Sequence, residues 1–402
     1  MLNLQFPNNK TPETDFFKKS WDTVLNNSKL GFLKTPAEDL AWSRSAEIGQ
    51  VLKNNYDHLV VIGIGGSSMG SRCFAEYAAT ANITFLDNVD TQEILTVQKL
   101  IQTQARIAWL FVSKSGTTVE VLWNLDMLYQ FHLEIKKDFW SHTFFITELT
   151  QNTLHQLSLK YDRPCLEIPI DVGGRFSVLT PVGLVVASYL NLNLALIREG
   201  AALALTDRQN TLNLSATYLN FMEKGHVINS FWFYSSRMRW FGQWLQQLWA
   251  ESLGKKTDRS GQPAFVFSTP LCCIGATDQH SVLQQLIDGP KDKFTTIFRF
   301  KSVEKSLQMI TNPLFQETKM MAGLDYGSLM KAETLATHQA LSNQGLNTLL
   351  IKLDQLDEKA LGYLFMLHQL IIAVMAEAKN INAFDQPAVE HGKKLIRDFI
   401  NS

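Results

Sequence analysis

The stretch FVSKSGTTVEV, residues 111–121, begins as an apolar strand and ends at the start of a helix. Between the two lies a turn, residues 113–118, that contains four hydroxyl residues, one lysine and one glycine. The first N–H groups of a helix are unpaired, and the helix dipole favours a negative charge beside them. Gly116 allows the backbone to approach a ligand closely. Because a helix cap needs only one hydroxyl residue, the turn predicts a phosphate site rather than an ordinary cap.

The same change from strand to helix recurs along the first half of the chain. The predicted strands are residues 58–64, 83–87, 107–113, 143–147 and 165–170. The helices predicted between them are residues 68–80, 92–102, 118–132 and 152–160. This alternation is typical of a doubly wound parallel sheet with helices on both faces. The carboxyl ends of its strands meet at one edge, where such sheets bind their ligands.

A second unit follows a helical stretch around residues 182–220. Its predicted strands are residues 228–236, 264–268, 295–300 and 346–353. Its predicted helices are residues 238–253, 279–288 and 328–342, followed by two longer ones at 357–379 and 387–400. We therefore expect two α/β domains of one architectural type. The expected boundaries are an N-terminal segment at 1–40, domains at 41–200 and 201–380, and a C-terminal helix at 381–402.

Composition excludes several classes of protein. The chain has 402 residues, of which 46% are hydrophobic, and a net charge of about −1. Such a chain can bury a large core, but it offers no basic surface to nucleic acid or to an anionic membrane. The four cysteines form no C-x-x-C pair, which predicts reduced thiols and no zinc site.

The N-terminus, MLNLQFPNNK, lacks the basic start and apolar stretch of a signal peptide. The most apolar windows, residues 179–196 and 361–376, contain polar side chains and are shorter than a membrane span requires. We expect a cytoplasmic protein with no membrane contact.

A second glycine-rich turn follows the first predicted strand, in VVIGIGGSSMG, residues 60–70. It resembles a dinucleotide-binding fingerprint, but Ser68 occupies the position of the last required glycine. Asp87 and Asp90 lie where an acid that binds ribose would fall, so an NAD-dependent dehydrogenase stays open. Two glycine and hydroxyl turns at one sheet edge fit a small sugar phosphate better than a dinucleotide.

Six motifs resemble, in order, those of the phosphoglucose isomerase family. They are GIGGSSMGS (63–71), FVSKSGTTVE (111–120), DVGGRFSVLTPVGL (171–184), QLWAESLGKK (247–256), ATDQHSVLQQLIDG (276–289) and FDQPAVEHGKK (384–394). The resemblance covers nearly the whole chain, apart from about the first 40 residues and residues 300–345. It implies two sugar-isomerase domains and the reversible conversion of glucose 6-phosphate to fructose 6-phosphate through a cis-enediolate, in glycolysis and gluconeogenesis. It implies no cofactor and no metal, and a homodimer with a shared active site.

Glu251 is the candidate base that transfers the proton. It lies near the end of a predicted helix, on the face that carries Trp240 and Trp244. An apolar face desolvates a carboxylate, as a general base requires. The residues alone leave an ordinary ion pair with Lys255 or Lys256 equally open, and the resemblance favours the base.

The resemblance assigns four further groups to the reaction. It implies that Arg175 stabilises the enediolate, that His280 opens the sugar ring with Lys393, and that Gln386 contacts the phosphate region. Without it, Arg175 would be interpreted as a surface arginine and His280 as a structural or exposed histidine. Lys393 and Lys394 would be interpreted as two neighbouring solvated charges.

The resemblance also implies contacts to the phosphate in both turns. These residues are Gly66, Ser67, Ser113, Lys114, Ser115, Thr117 and Thr118. The Lys114 ammonium either binds the phosphate or only raises the local potential. One departure is Ala388, where the family usually has glycine. If that position needs a positive φ, alanine would shift the turn and misplace Lys393.

Two functions besides the isomerase and the dehydrogenase stay open. A non-catalytic sugar-phosphate sensor would keep the turn at 113–118 but would not need Glu251, His280 and Lys393 together. An enzyme of amino-sugar synthesis would need a preceding domain with an N-terminal cysteine nucleophile, for which this chain has no room.

Overall fold

The computed structural model describes residues 2–7, 11–80, 82–103, 106–264, 266–302, 309–389, 395–396 and 399. Within them the strands are β1 (Leu2–Gln5), β2 (His58–Ile62), β3 (Ile83–Leu86), β4 (Ile107–Val112), β5 (Thr143–Thr147), β6 (Cys165–Glu167), β7 (Ile228–Phe233), β8 (Thr269–Ile274), β9 (Lys293–Ser302) and β10 (Asn347–Gln355).

The α-helices of the described residues lie on and between two sheets. They are α1 (Asp15–Leu25), α2 (Asp39–Asn55), α3 (Met69–Ala78), α4 (Thr91–Gln102), α5 (Val119–Glu134), α6 (Thr153–Lys160), α7 (Pro181–Tyr189), α8 (Leu194–Thr206), α9 (Arg208–Glu223), α10 (Arg239–Leu253), α11 (Leu283–Asp288), α12 (Tyr326–Asn343) and α13 (Glu358–Ala378).

The first sheet has the strand order β3-β2-β4-β5-β6, and all of its pairings are parallel. The central strand β4 is buried along its whole length, which explains its unbroken apolar run. The five strands predicted for this unit are confirmed. Because they are parallel, the turns after β2 and β4 lie side by side at one edge.

The second sheet has the order β1-β10-β9-β7-β8. Strands β10, β9, β7 and β8 are parallel, and β1 pairs antiparallel with β10, with Leu2 opposite Leu353. The sequence pattern predicts no strand in the N-terminal segment, because four residues are too few for an alternation to be recognised. The fold is α/β with parallel sheets, as predicted, and one antiparallel strand is added at the edge.

One predicted strand is wrong. Residues 264 and 266–268 are not in a strand, and the real strand β8 begins at Thr269 with Pro270 inside it. Proline cannot donate to a ladder, so a strand through Pro270 is expected only at the edge of a sheet. Because β8 is the edge of its sheet, the missing N–H group costs no ladder hydrogen bond.

Helix α13 forms the centre of the core, packed against α8, α9, α1 and α10. It is long and apolar enough to cross a membrane, contrary to the expectation from residues 361–376, but 89% of its apolar window is buried inside the protein. Its Gln369 is fully buried and donates a hydrogen bond of 2.9 Å to the carbonyl oxygen of Phe176. The helix thereby holds the segment that carries Arg175.

Helix α10 joins the two units, since it belongs to the second sheet and packs along α3 of the first. Its buried face carries Phe241, Trp244, Leu248 and Trp249, which confirms the predicted buried helix. Glu251 lies in its last turn and is therefore brought to the boundary between the units.

Candidate active site

The glycine-rich turn after β2 lies against the segment that carries Arg175. A methyl group on Gly66 would lie 2.3 Å from the carbonyl carbon and oxygen of Gly174 and 2.7 Å from the backbone nitrogen of Arg175. Gly65 has a φ of +61°, which favours glycine. Ser67 follows in the same turn. Glycine is needed at position 66 because the two backbones touch.

The turn after β4 leaves the start of α5 open. Thr118 occupies the N-cap position, but its hydroxyl lies 2.7 Å from the Ser113 hydroxyl and makes no side-chain cap bond to the helix. Ser115 and Thr117 are exposed, with their hydroxyl oxygens 3.2 Å apart. The first N–H groups of α5 therefore lack a side-chain cap, and two exposed hydroxyls precede them in the chain, a combination that suits an anion.

The Lys114 side chain already has partners within the protein. Its ammonium donates a hydrogen bond of 2.9 Å to the carbonyl oxygen of Ile170 and lies 3.4 Å from a carboxylate oxygen of Glu148. Of the two roles left open for Lys114, this geometry favours a contribution to the local potential over direct binding of phosphate.

Arg175 is buried, with 3% of its side chain exposed, so its interpretation as a surface arginine is wrong. Its guanidinium donates to the Ser252 hydroxyl at 2.7 Å, to the Gln386 side-chain oxygen at 3.1 Å, and to the carbonyl oxygens of Ala383 and Asp385. These bonds fix the plane of the guanidinium. They also draw the segment at 383–386 to the end of α10.

Glu251 lies beside this arginine, with a carboxylate oxygen 3.5 Å from Nη1 of Arg175, and its side chain is 24% exposed. Burial lowers the pKa of the Arg175 guanidinium, and the nearby carboxylates of Glu251 and Asp385 oppose that shift. The alternative pairing of Glu251 with Lys255 is wrong, because the Lys255 ammonium binds the Asp385 carboxylate at 3.0 Å. The Glu251 carboxylate is therefore paired with Arg175, while part of its side chain stays exposed to solvent.

Gln247 is a site residue that the sequence analysis missed. Its side-chain nitrogen donates to Glu251 at 3.3 Å and lies 3.0 Å from where a methyl group on Gly65 would be. Its side-chain oxygen is buried and has no hydrogen-bond partner in the described part of the chain. The available signal was the helical spacing, since Gln247 precedes Glu251 by four residues and so shares its face.

The C-terminal motif is described only in part. Gln386 contacts Arg175, and residues 387–389 are helical, with the Val389 amide donating to the Gln386 carbonyl at 3.2 Å. Ala388 lies in this helical turn and has no positive φ, so the departure from the family's glycine strains nothing there. Lys393 lies outside the described residues.

His280 ends a short helical turn after β8 and is exposed. It makes no hydrogen bond or ion pair to any described residue, Arg175 and Glu251 included. Its neighbour Gln279 donates to the hydroxyls of Tyr234 at 2.8 Å and Thr337 at 2.7 Å. The turn is thus anchored from the side while the imidazole faces outward.

Both acids proposed for a ribose have other partners. Asp87 accepts hydrogen bonds from Arg72 and from the Ser68 hydroxyl, and Asp90 caps α4 by accepting from the Gln92 amide at 2.7 Å. Neither acid is therefore available to bind the ribose of a dinucleotide. Among the described residues, no group of three or more His, Cys, Asp or Glu could hold a metal ion.

The two turns, a buried guanidinium and a carboxylate suit acid–base chemistry on a phosphorylated substrate. The family model for phosphoglucose isomerase matches residues 42–402. The chain belongs to the phosphoglucose isomerase family. It is 32% identical over 381 residues to the glucose-6-phosphate isomerase of Methanocaldococcus jannaschii, covering 92% of this chain and 90% of that protein.

A further relative supports this assignment, and a solved structure shows the shared fold. The glucose-6-phosphate isomerase of Campylobacter jejuni is 32% identical over 363 residues, covering 87% of each chain. The crystal structure of a glucose-6-phosphate isomerase from Chlamydia trachomatis superposes with a TM-score of 0.78 at 23% identity, covering 90% of this chain and 73% of that one. The resemblance inferred from the six motifs is confirmed, and the fold is that of the family.

Proposed function

We propose that this chain interconverts glucose 6-phosphate and fructose 6-phosphate at the boundary between its two α/β units, taken as domains at 41–200 and 201–380. The observation that carries the proposal is the pairing of Glu251 with the buried Arg175 at 3.5 Å, beside the glycine-rich turn. A carboxylate next to a fixed guanidinium can remove a proton from carbon while the developing negative charge is stabilised.

In the proposed reaction, Glu251 removes the proton from C2 of the open-chain aldose and returns it to C1. The electron pair of the C2–H bond passes into the enediolate, whose C1 oxygen then carries the negative charge. A proton moves from the C2 hydroxyl to the C1 oxygen, which shifts the charge to the C2 oxygen, and protonation of C1 then leaves the carbonyl at C2. Arg175 stabilises that charge, and its network of hydrogen bonds means that it need not reorganise as the charge appears. A guanidinium suits this task because it does not lose its own proton.

The phosphate is proposed to bind at the two turns. Ser115 and Thr117 offer exposed hydroxyls, and the open start of α5 offers N–H groups. Gly66 and Ser67 offer the backbone of the neighbouring turn. Ser113 and Thr118, whose hydroxyls bind each other, shape the turn at 113–118 from within.

We further propose a homodimer in which His280 serves the partner's site and opens the sugar ring there. The exposed imidazole, which makes no hydrogen bond or ion pair to a described residue, supports this role. Lys393 is proposed to act with the histidine at the ring oxygen, and Gln386 to contact the phosphate region beside Arg175. A cytoplasmic location is proposed on the basis of the free cysteines and the soluble sugar-phosphate substrate.

The test is a coupled assay that supplies fructose 6-phosphate and detects glucose 6-phosphate through a dehydrogenase, without added metal. Glu251→Gln should lose at least about 10²-fold in kcat with little change in KM, the scale of positioned acid–base catalysis. The matched control is Glu377→Gln, because Glu377 is also 24% exposed and pairs with an arginine, Arg259, near the end of a helix.

The control variant should retain wild-type kcat. Normal turnover by Glu251→Gln would show that another group is the base. If wild type is inactive while fructose 6-phosphate still raises its melting temperature, the chain is a sensor and the proposed reaction is wrong.

A further inference from the structure

The helix that carries Glu251 is tied to the glycine-rich turn by an ion pair outside the reacting groups. On α3, Nε and Nη2 of Arg72 donate to the two carboxylate oxygens of Asp87 at 2.8 and 2.7 Å. Both side chains are 18% exposed. Such a bidentate pair fixes the orientation of the guanidinium as well as its position.

On its other side, Asp87 binds the glycine-rich turn itself. It accepts a hydrogen bond of 3.1 Å from the hydroxyl of Ser68, which is fully buried. The Ser68 amide closes the turn by donating to the carbonyl oxygen of Gly65 at 3.0 Å. Asp87 therefore connects the proposed phosphate turn to Arg72.

The Arg72 guanidinium in turn packs on the first turn of α10. It lies 4.3 Å from the ring centre of Trp240 and 4.6 Å from that of Phe85, between the two rings. The Trp240 amide donates to the Glu76 carboxylate at 2.7 Å, one turn further along α3. The start of α10 is thus held by an aromatic contact and by a charged cap, both from α3.

The far end of α10 returns to the same turn. Trp240 and Glu251 are eleven residues apart, or about 16 Å along the helix. Between them, the Gln247 side-chain nitrogen lies 3.0 Å from where a methyl group on Gly65 would be and donates to the Glu251 carboxylate. A tilt of α10 at its start would therefore displace the carboxylate from the turn, and a displacement of about 1 Å can cost about 10²-fold in rate.

We propose that Arg72 is a positioning residue for Glu251. Because Arg72 binds Asp87 and packs on Trp240, it fixes α10 relative to the glycine-rich turn. It thereby sets the distance between the bound phosphate and the base. The inference rests on the proposed function. Lysine would not replace Arg72, because an ammonium neither binds Asp87 through two parallel donors nor stacks as a plane on Trp240.

The test compares Arg72→Lys with Arg237→Lys, a control at the same boundary between the units. The Arg237 guanidinium lies 4.1 Å from the ring of Tyr77 and donates to the Tyr77 carbonyl oxygen at 2.9 Å, away from the glycine-rich turn. The readouts are kcat, KM, melting temperature and the kinetic isotope effect with glucose 6-phosphate deuterated at C2. The last reports only on removal of the proton.

Arg72→Lys should lower kcat about tenfold or more, with KM within about threefold of wild type and a larger isotope effect. Arg237→Lys should lower the melting temperature about as much as Arg72→Lys does. Its kcat and isotope effect should nevertheless stay within about twofold of wild type. If Arg72→Lys retains wild-type kcat, or if its loss comes without a larger isotope effect, the inference is wrong. A matching loss of kcat in Arg237→Lys would also overturn it, because general loosening of the boundary would then suffice.

Two variants of Trp240 keep the test decisive if Arg72→Lys does not fold. Trp240→Leu leaves the Arg72–Asp87 pair intact but removes the aromatic face, and should reproduce the loss of kcat. Trp240→Phe restores a face and should recover most of the rate. Equal rates in the two variants would contradict the inference. Inactivity of wild type would contradict the proposed function instead, so the two failures are distinguishable.

Discussion

Gly116 should be the most sensitive backbone position of the proposed phosphate turn. Its φ is +63°, and a methyl group there would lie 1.8 Å from the side-chain oxygen of Asn152. That oxygen caps α6 by accepting from the His155 amide at 3.0 Å, and the Asn152 amide group donates to the Glu148 carbonyl oxygen at 2.7 Å. Gly116→Ala must therefore strain the backbone and also displace the asparagine.

The expected destabilisation follows from these contacts. A left-handed backbone costs a residue with a side chain about 1–2 kcal/mol. Loss of the cap costs about 1 kcal/mol, and loss of the second hydrogen bond about 1 kcal/mol. Gly116→Ala should thus lower the free energy of unfolding by about 3–4 kcal/mol. Gly345→Ala is the matched control, because Gly345 has a φ of +72° and nothing within 4 Å of a methyl group, so only the backbone cost of about 1–2 kcal/mol applies.

The assays are urea unfolding and the KM for fructose 6-phosphate. A shifted turn loses at least one hydrogen bond to a charged phosphate, worth about 1.5–3 kcal/mol, so KM should rise about tenfold or more in Gly116→Ala. Gly345→Ala should keep its KM. Equal destabilisation of the two variants, or an unchanged KM in Gly116→Ala, would refute the reasoning.

Three other changes test separate parts of the structure. Arg175→Lys should lower kcat about 10²-fold, because one ammonium cannot reproduce the planar network that faces the enediolate; an unchanged kcat in the coupled assay would contradict this. Gln247→Leu should lower kcat about tenfold by releasing Glu251, and wild-type kinetics would exclude that role. Burial lowers the pKa of His368 to about 4, so between pH 4 and 6.5 the unfolded chain binds a proton that the folded chain does not, and stability falls as the pH falls. From pH 7 to pH 5, wild type should lose about 2 kcal/mol more unfolding free energy than His368→Leu, and parallel urea titrations would contradict this.

The strands that the sequence predicted well are the buried parallel ones. In β4 and β7, both faces are covered, so the apolar run is continuous and its length indicates a strand directly. Strand β8 was misplaced because the apolar run at 264–268 lies just before it, and only the sheet order shows that the strand containing Pro270 is an edge. Strand β1 was missed because its four residues are too few to show a pattern, and its partner Leu353 lies far along the chain from Leu2.

Parts of the candidate site could be inferred from the sequence where a residue type carries its own chemistry. The glycine and hydroxyl turn at 113–118 predicted an anion site, and the resemblance pointed to Arg175 and Glu251, which the structure brings together. Gln247 and Arg72 were not found, because helical spacing places Gln247 beside Glu251 without indicating a role, and a helical arginine has no distinctive pattern. Their roles follow only from what they touch across the boundary between the two units.

The central claim is that the Glu251 carboxylate moves the proton between C2 and C1. It is tested most directly by NMR of fructose 6-phosphate in D₂O, where a base that exchanges its proton with solvent introduces deuterium into the sugar. Wild type and Glu377→Gln should incorporate deuterium at C1 of fructose 6-phosphate and C2 of glucose 6-phosphate, whereas Glu251→Gln should incorporate none while still binding fructose 6-phosphate. Deuterium incorporation by Glu251→Gln at the wild-type rate would contradict the account.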